Sequence, residues 1–408
     1  MKSASKNIPF WTDINSVPSR FPWLDSNDSC EVCIIGGGVT GALTAMNFAR
    51  SGVDTILVTA HPLGYGGTSR APSCVRFDGT GTLFSLSEKI GNECAMQVYY
   101  AQKNALDALE QLANDSETDF GFNLRDCVLY TNDPTEKNNL FREYQMRKNY
   151  GFDVEFLGGE QARNIFAFDI EAAIISKNLA AELDPYLLTH AAAVEAVKNG
   201  ARVYENTKIQ SISDFSENCV LTASTRRKIT ASTIVLTLGR ECSDYVSGLG
   251  QCHSSAAVLS EPLEHFEDWP GKCVISCLDH PSFTVSSTPD NRLFISGAAS
   301  SIIDEKGKLK GFIPAHALEK KRYSMLEETA RELFPNIALK FEYCFSGTHV
   351  ATFAGMPVID NHPNYQNCCY AVSGGENSVL ISATAANVLT KLCNGTVAGR
   401  SSLFALRR

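Results

Sequence analysis

The stretch that most constrains the fold of this chain is residues 31–61, EVCIIGGGVTGALTAMNFARSGVDTILVTAH. Its apolar run at 32–36 is typical of a buried strand, and a glycine-rich turn leads from it into a helix of small and apolar residues, from about Thr40 to Ser51. Gly52 ends this helix, and DTILVT has the pattern of a second strand. The stretch therefore predicts a βαβ unit of ordinary length.

The glycines of the turn have the spacing of a dinucleotide-binding loop. Gly36, Gly38 and Gly41 satisfy the pattern G-x-G-x-x-G between a strand and a helix. The first glycine allows a tight turn, the second lets the backbone approach a pyrophosphate, and the third lets the helix pack on the strand. The helix start at Val39 and Thr40 would then offer N–H groups to the phosphates. The alternative is a glycine-rich turn that binds nothing.

The unit lacks the acidic residue that usually bonds the ribose hydroxyls, because Thr59 stands at that position, followed by AHPLGYGG. Threonine can donate and accept a hydrogen bond but is not a charged, bidentate acceptor. We expect the replacement to cost about 1–2 kcal/mol of cofactor binding. NADP avoids an acid here but needs an arginine for its 2′-phosphate, and only His61 follows, so NADP is the less favoured alternative.

Composition and charge narrow the class of protein. The chain has 408 residues, enough for two domains or one large composite domain, and its net charge of −9 argues against a nucleic-acid partner. We expect no secretory signal and no transmembrane helix. The fourteen cysteines then indicate reduced thiols and a cytoplasmic protein. Cys273 and Cys277 have no second pair nearby, so we predict no metal site.

The order of patterns along the chain predicts an α/β (α+β) fold. A strand, NCCYAVSGG, and an apolar helix, SVLISATAANVLTKLCNG, lie near the C-terminal end. Asp184 and Pro185 form a helix start, and residues 85–113 have a helical pattern. Strand patterns recur from 201 to 239 and again from about 271 to 297. We expect the two ends to share one sheet, with a strand-rich middle inserted between them.

Several further segments carry a resemblance to a known family. In chain order they are LGYGGTSRAPSCVRFDG, AAELDPYLLTHAAAVEAVKNGARVYENTKI, ITASTIVLTLG, VLSEPL, DNRLFISG, FSGTHVATFAGMPVID and AVSGGENSVLIS. The chain resembles the FAD-dependent oxidoreductases of the D-amino-acid oxidase and glycine oxidase superfamily, and among them the γ-glutamylputrescine oxidase-like proteins. The resemblance implies a discontinuous Rossmann-like FAD-binding domain (1–90, 155–245 and 335–408) and an antiparallel-sheet substrate domain (91–154 and 246–334).

The resemblance also implies where FAD would lie, bound without a covalent link because Gly347 stands where some relatives carry the tethering cysteine. The GGTSR loop would run along the flavin, Ile209 would lie near the adenine, and the tail loop at 374–379 would bring N–H groups and a helix start to the pyrimidine end, where reduced flavin carries negative charge. The implied residues, besides those of the glycine loop and Thr59, are Ala60, Gly67, Thr68, Ser69, Arg70, Ile209, Gly239, Gly374, Gly375, Glu376, Asn377, Ser378 and Val379.

The implied reaction is oxidation of the C–N bond of an amine or amino-acid-derived amine to an imine, with hydride transfer to FAD and reoxidation by oxygen or an electron carrier. No acid–base residue is obligatory for it. His253 and His349 lie in segments that should border the flavin, so both are candidate proton-transfer residues. For each, the alternative is a structural hydrogen bond.

Four positions depart from the family pattern and keep two other functions open. The first is Thr59, discussed above. In the tail loop, Glu376 and Ser378 replace glycines, and a carboxylate pointing inward there would repel reduced flavin. The fourth is Ser286. The run Thr284 to Ser286 stands where relatives often have an arginine that holds the substrate carboxylate, and its lack of an arginine argues against a standard α-amino acid as substrate. The alternatives are a flavoprotein-fold scaffold without catalysis and a remodelled flavoenzyme that acts on a biosynthetic intermediate.

Overall fold

A computed structural model describes residues 6–213, 218–279, 281–301, 315–375, 377–393 and 403–406. The strands in these ranges are β1 (Asp28–Ile35), β2 (Thr55–Val58), β3 (Cys74–Arg76), β4 (Asn123–Thr131), β5 (Val154–Gly158), β6 (Ala172–Glu182), β7 (Arg202–Tyr204), β8 (Ile209–Ser213), β9 (Cys219–Ala223), β10 (Lys228–Leu236), β11 (Gln251–Ser260), β12 (Val274–Cys277), β13 (Phe283–Ser287), β14 (Leu293–Ser301), β15 (Phe341–Ala351), β16 (Val358–Asn361) and β17 (Cys368–Val372). The α-helices are α1 (Phe10–Ile14), α2 (Val39–Arg50), α3 (Leu83–Ile90), α4 (Asn92–Asp115), α5 (Lys137–Asn149), α6 (Gly159–Arg163), α7 (Pro185–Lys198), α8 (Ala315–Leu333) and α9 (Ser378–Cys393).

The first sheet joins the two ends of the chain, as the sequence predicts. Its strand order is β16-β17-β10-β1-β2-β7, with β9 and β8 added beside β10. The pairs from β17 to β7 are parallel, and β16 is antiparallel to β17. Alternate residues of β1 enter different cores: Val32 and Ile34 pack on one face, and Cys33 and Ile35 on the other. Burial on both faces is expected of a parallel sheet.

The second sheet supplies the other half of the fold. Its strand order is β15-β11-β14-β13-β12-β4-β6-β3, with β5 paired to β6. Its pairs are antiparallel except for β12 and β4. Three of its strands, β3, β6 and β15, fall wholly within the ranges that the sequence assigns to the FAD-binding domain, and β5 does so except for Val154. Pairing alone does not define a domain, and the domain limits stay a prediction.

Three helices cover the face of the first sheet that carries the glycine loop, since α2 packs against both α7 and α9. The predicted start of α7 is present: Asp184 accepts N–H bonds from Tyr186 and Leu187, and Pro185 occupies the first turn. The helix predicted at 85–113 is present, but it is divided into two helices. Gly91, with φ of +84°, ends α3 and starts α4, because a positive φ breaks the helical path.

The N-terminal segment connects the two sheets. Lys6 forms a bridge to Tyr343 of β15, and the indole N–H of Trp11 donates to the carbonyl of Ala71 at 2.8 Å. Further along, the N–H of Leu24 donates to Oγ1 of Thr207 at 3.0 Å. The segment therefore holds loops of both sheets in place. No helix in the described ranges is long and apolar enough to cross a membrane.

Candidate functional site

A cavity of about 730 Å³ lies where the carboxyl ends of β1, β2, β10 and β17 face the second sheet. In an open α/β sheet, ligands bind at this end of the strands. The lining residues that follow the four strands are Gly36–Thr40, Thr59–Pro62, Thr237–Glu241, and Ser373 and Gly375. Strands β11, β14 and β15 of the second sheet provide the opposite wall.

The glycine loop has the geometry that its spacing predicts. Gly36 has φ of +124°, and an added Cβ there would overlap the carbonyl of Thr237. Gly38 precedes the first residue of α2, so the N-terminus of that helix faces the cavity. Gly41 does not line the cavity; an added Cβ there would overlap the carbonyl of Gly36. Gly36 and Gly38 thus shape the wall, and Gly41 allows the helix to approach the strand.

Part of the N-terminus of α2 is already bonded within the protein. The N–H of Val39 donates to Oγ1 of Thr68 at 3.0 Å, which ties the glycine loop to the GGTSR loop. The hydroxyl of Thr40 lies 2.8 Å from Ser382 Oγ and 3.1 Å from Ser373 Oγ. All of these residues line the cavity. Side chains therefore connect α2 to both other segments that the family resemblance places along the flavin.

Thr59 lies at the end of the cavity predicted for the adenosine. It follows β2, is 8% exposed, and donates from Oγ1 to the carbonyl of His61 at 3.1 Å. Its carbonyl accepts the N–H of Thr207 at 2.8 Å, which brings Lys208 and Ile209 to the same end. The predicted Ala60 and Gly239 also line the cavity.

Replacing Thr59 with glutamate should tighten FAD binding. A carboxylate at the end of β2 would accept hydrogen bonds from ribose hydroxyls, which a threonine cannot do in a charged, bidentate way. We expect the dissociation constant for FAD to fall about tenfold, as for one charge-assisted bond of about 1–2 kcal/mol. Fluorescence titration of the apoprotein measures it, with Thr59→Gln as the neutral control. Equal constants for the glutamate and glutamine variants would contradict this account.

At the other end, the GGTSR loop forms a 3₁₀ turn over Gly67–Arg70. Gly67, Thr68 and Arg70 line the cavity, whereas Ser69 is buried and its Oγ donates to the carbonyl of Gly66 at 2.9 Å. Arg70 is exposed and lies against β15: an added Cβ on Gly347 would sit 3.7 Å from the Cβ of Arg70. The side chain of Ser69 therefore stabilises the turn, and its predicted place at the cofactor stays a prediction.

The tail loop is only partly directed at the cavity. Gly375 and Ser378 line it, whereas Gly374 packs so closely that an added Cβ would overlap the carbonyl of Val350. Val379 is fully buried, and Asn377 makes its contacts elsewhere. Glu376 lies outside the described residues, and so does its predicted repulsion of reduced flavin.

The wall of the second sheet is built from directly opposed residues of neighbouring strands. Ala257 of β11 pairs with Phe345 of β15 and with Ser296 of β14, and all three line the cavity. The side chains of opposed residues point to the same face of a sheet. Cys344 enters the core under α8 on the other face, where burial raises the pKa of its thiol to about 11. No described cysteine lines the cavity.

The two candidate catalytic histidines are paired across this wall. His253 of β11 is opposite His349 of β15, with ring centroids 6.2 Å apart. Only His349 lines the cavity. Burial, and in second place the neighbouring His253, lower the pKa of His349 to about 4. The imidazole of His349 is therefore neutral at pH 7, with lone-pair capacity to accept a proton or a hydrogen bond.

An arginine that sequence analysis missed lies beside the wall. Arg76 of β3 bonds to Ser276 and, at 3.0 Å, to Oγ1 of Thr284, which is paired with Ser296. Its Nε also pairs with Asp78 at 3.0 Å, and it does not line the cavity. Because β3 is far from β13 in sequence, only the strand order reveals this contact. The run from Thr284 to Ser286 does not line the cavity, and the hydroxyl of Ser286 lies 2.6 Å from that of Ser73.

Most of the chain matches one protein family. The family described as FAD dependent oxidoreductase (DAO) matches residues 31–392. The chain belongs to this family. The predicted family and the prediction of FAD as cofactor are confirmed by this match.

Two relatives of this FAD-dependent oxidoreductase have low sequence identity to it. Gamma-glutamylputrescine oxidoreductase of Escherichia coli is 22% identical over 368 residues, which cover 87% of this chain and 79% of the relative. The match confirms the predicted likeness to that branch. YhfW of Bacillus subtilis, named as a Rieske 2Fe-2S iron-sulfur protein, is 25% identical over 198 residues, 48% of this chain. The chain spans only 38% of the length of YhfW.

Among solved structures, glycine oxidase of Geobacillus kaustophilus has a TM-score of 0.75 and 19% identity, covering 94% of this chain and 99% of the other. This similarity of fold confirms the predicted α/β class with a Rossmann-like FAD-binding part. It agrees with the parallel first sheet and the largely antiparallel second sheet that face the common cavity.

The described residues fit FAD as the family's cofactor. FAD carries a pyrophosphate between its adenosine and its flavin, so its site must be long and must accept negative charge near the middle. The glycine loop and the N-terminus of α2 lie between the Thr59 end and the end formed by the 3₁₀ turn and the tail loop. The volume of about 730 Å³ is within the range of small-molecule and cofactor sites.

Proposed function

We propose that the protein oxidises the C–N bond of an amine or amino-acid-derived amine to an imine. The observation that carries the proposal is the continuity of the cavity, which joins the glycine loop to a wall of neutral side chains from β11, β14 and β15. FAD, when bound, would accept the hydride. Glycine and γ-glutamylputrescine, which appear in the names of the two relatives above, both carry an amino group.

The chain's own residues would bind, orient and shield. Gly36 to Thr40 would hold the pyrophosphate, Thr59 and Ile209 the adenosine, and the 3₁₀ turn and tail loop the flavin, without a covalent link. Phe294 and Phe345, 1% and 2% exposed, close the wall against water. Exclusion of water strengthens the electrostatic interactions inside such a site. These assignments rest on the lining of the cavity and on membership of the family.

The charges that line the cavity bear on the substrate. Among the described lining residues, the lysine and arginines are Arg70, Lys208 and Arg240. Arg70 lies beside Gly347 of β15, and the 3₁₀ turn that carries Arg240 also packs on β15. An amine without a carboxylate would fit the neutral wall directly. A carboxylated amine would need a cation near this wall, which Arg70 or Arg240 could provide, because Arg76 is already paired with Asp78. The panel of test substrates should therefore contain both kinds of amine.

His349 is proposed to accept the proton that an ammonium group must lose before oxidation, and His253 to influence it as a neighbour. The lowered pKa of His349 makes the stability of the protein depend on pH. The folded protein binds this proton less readily than the unfolded chain, whose histidines have a pKa of about 6.5, so stability is lost as pH falls from about 6.5 to about 4. His349→Gln should therefore make the melting temperature, measured by circular dichroism, depend less steeply on pH over this range. A profile as steep as that of the wild type would contradict this account.

Anaerobic mixing with a panel of amines and amino acids tests the proposed function. We expect one class of amine to bleach the flavin absorption and to yield the aldehyde or keto product of a hydrolysed imine. Oxygen and soluble electron acceptors, added afterwards in separate samples, identify the acceptor by the rate at which the absorption returns. A flavin that no amine bleaches would contradict the proposal and would favour a scaffold or a remodelled flavoenzyme.

A further inference from the structure

Asn377 of the tail loop makes an unusual pair of contacts with β3. Its Oδ1 accepts the backbone N–H of Arg76 at 2.9 Å, and its Nδ2 donates to the backbone carbonyl of Arg76 at 2.8 Å and to Oε1 of Gln102 at 3.3 Å. The residue is 5% exposed and does not line the cavity. One side-chain amide therefore bonds both polar groups of one backbone residue, as a neighbouring strand would.

The contact serves an edge of the second sheet. β3 is the last strand in its order, and Arg76 is opposite Ala180 of β6 on the other side. The carbonyl of Arg76 also accepts the N–H of Gly79 at 3.3 Å, but the N–H of Arg76 would lose the side-chain partner that Asn377 gives it, and an unpaired backbone donor in the interior is costly. Gly79 provides the space, because an added Cβ there would overlap the amide of Asn377. Both segments are thus shaped around this contact.

The same contact changes the start of α9. Ile381 donates its N–H to the carbonyl of Asn377 at 3.1 Å, which makes Asn377 the N-cap residue of the helix. An asparagine at this position ordinarily accepts an N–H of its own first turn. Here the side chain bonds Arg76 and Gln102 instead, so it does not cap α9. The flanking residues Gly375 and Ser378 line the cavity.

We infer that Asn377 is a positioning residue for the cofactor. It fixes the N-terminus of α9 against β3 and, by bonding β3, leaves the first-turn N–H groups of α9 available to negative charge in the cavity. The positive end of a 16-residue helix dipole then stays directed at the site. The inference depends on FAD binding and not on the amine reaction.

Sulfite binding by the FAD-loaded protein tests this role without any amine, because sulfite forms an anionic complex with bound flavin. Asn377→Ala removes the contact directly, and Gly79→Ala displaces the amide while leaving Asn377 in the sequence. We expect both variants to raise the dissociation constant for sulfite about tenfold, the size of a helix-terminus effect at a partly buried site. Gly158→Ala is the control, since its φ is −76° and the nearest atom to the added Cβ is 4.0 Å away.

The outcomes separate positioning from simple stability. Melting temperature and the dissociation constant for FAD are measured on the same samples. Sulfite constants within twofold of the wild type in both variants would overturn the inference. So would failure of both variants to fold while Gly158→Ala stays intact, because the contact would then be structural only. A silent amine panel with shifted sulfite constants would leave the inference standing and the proposed function refuted.

Discussion

Replacing Gly41 with alanine should abolish useful FAD binding. The added Cβ would overlap the carbonyl of Gly36, which is backbone and cannot rotate away. Gly36 cannot yield either, because its φ of +124° and its contact with Thr237 fix it in place. The glycine loop and the start of α2 would have to separate, and the phosphate site would be lost. We expect the affinity for FAD to fall about 100-fold or more, which corresponds to about 2.8 kcal/mol.

The measurement is a fluorescence titration of FAD with apoprotein, together with the flavin content of the purified variant. Overpacking of this kind also lowers the free energy of unfolding, typically by about 1–3 kcal/mol. Gly158→Ala serves again as the control and should keep its FAD. If Gly41→Ala bound FAD as tightly as the wild type, the assignment of this loop to the phosphates would be wrong.

Replacing Arg147 with methionine should cause the largest loss of stability. Arg147 of α5 is fully buried, with Nε 2.6 Å from Glu143 and Nη2 3.0 Å from Asp78. Glu143 in turn accepts the N–H of Leu83 at 2.9 Å at the start of α3. Removal of the guanidinium leaves two carboxylates buried without it. Breaking a buried ion pair in this way costs about 3–5 kcal/mol.

Urea unfolding of the FAD-free proteins measures this effect. Arg142→Met is the matched control, since Arg142 lies on the exposed side of the same helix and should change the free energy of unfolding by about 0.5 kcal/mol or less. Adding Glu143→Gln and Asp78→Asn to Arg147→Met should recover part of the loss. A loss below about 1 kcal/mol for Arg147→Met alone would mean that the cluster is not a stabilising unit.

The same cluster makes the free energy of unfolding depend on pH in acid. Burial alone would raise the pKa of Asp78, but the charges of Arg76 and Arg147 lower it to about 2. The folded-state pKa is below the unfolded value of about 3.9, so this contribution is present above about pH 4 and is lost as pH falls towards 2. Asp78 thus ties the core of α5 to the strand that carries Arg76.

Local patterns were enough to predict the first sheet. A short window of sequence is sufficient to predict each of these elements: the glycine loop, β2, α7 with Asp184 and Pro185, and the C-terminal strand and helix. The family followed from the order of such segments. Three long strands of the second sheet, β6, β11 and β15, were not predicted. Their neighbours come from distant parts of the chain, and no turn signal marks their pairing.

In the site, too, local sequence predicted some features, and others depend on contacts between distant parts of the chain. Spacing predicted that Gly36, Gly38 and Gly41 would shape one loop, and only the last of them turned out to act by packing alone. The directions of Ser69 and Asn377 could not be read from their position in a loop, because each depends on a partner that the fold supplies. The roles of Arg76 and of the hydroxyls near Thr40 likewise require the tertiary contacts.

We expect this cavity to hold FAD although Thr59 replaces the usual acid. The most direct test is the visible absorption spectrum of the purified protein, before and after incubation with FAD and removal of the excess. We expect flavin bands that remain with the protein and are released as free FAD on denaturation, as a non-covalent cofactor would be. A colourless protein that retains no added FAD would contradict the account and leave only the fold.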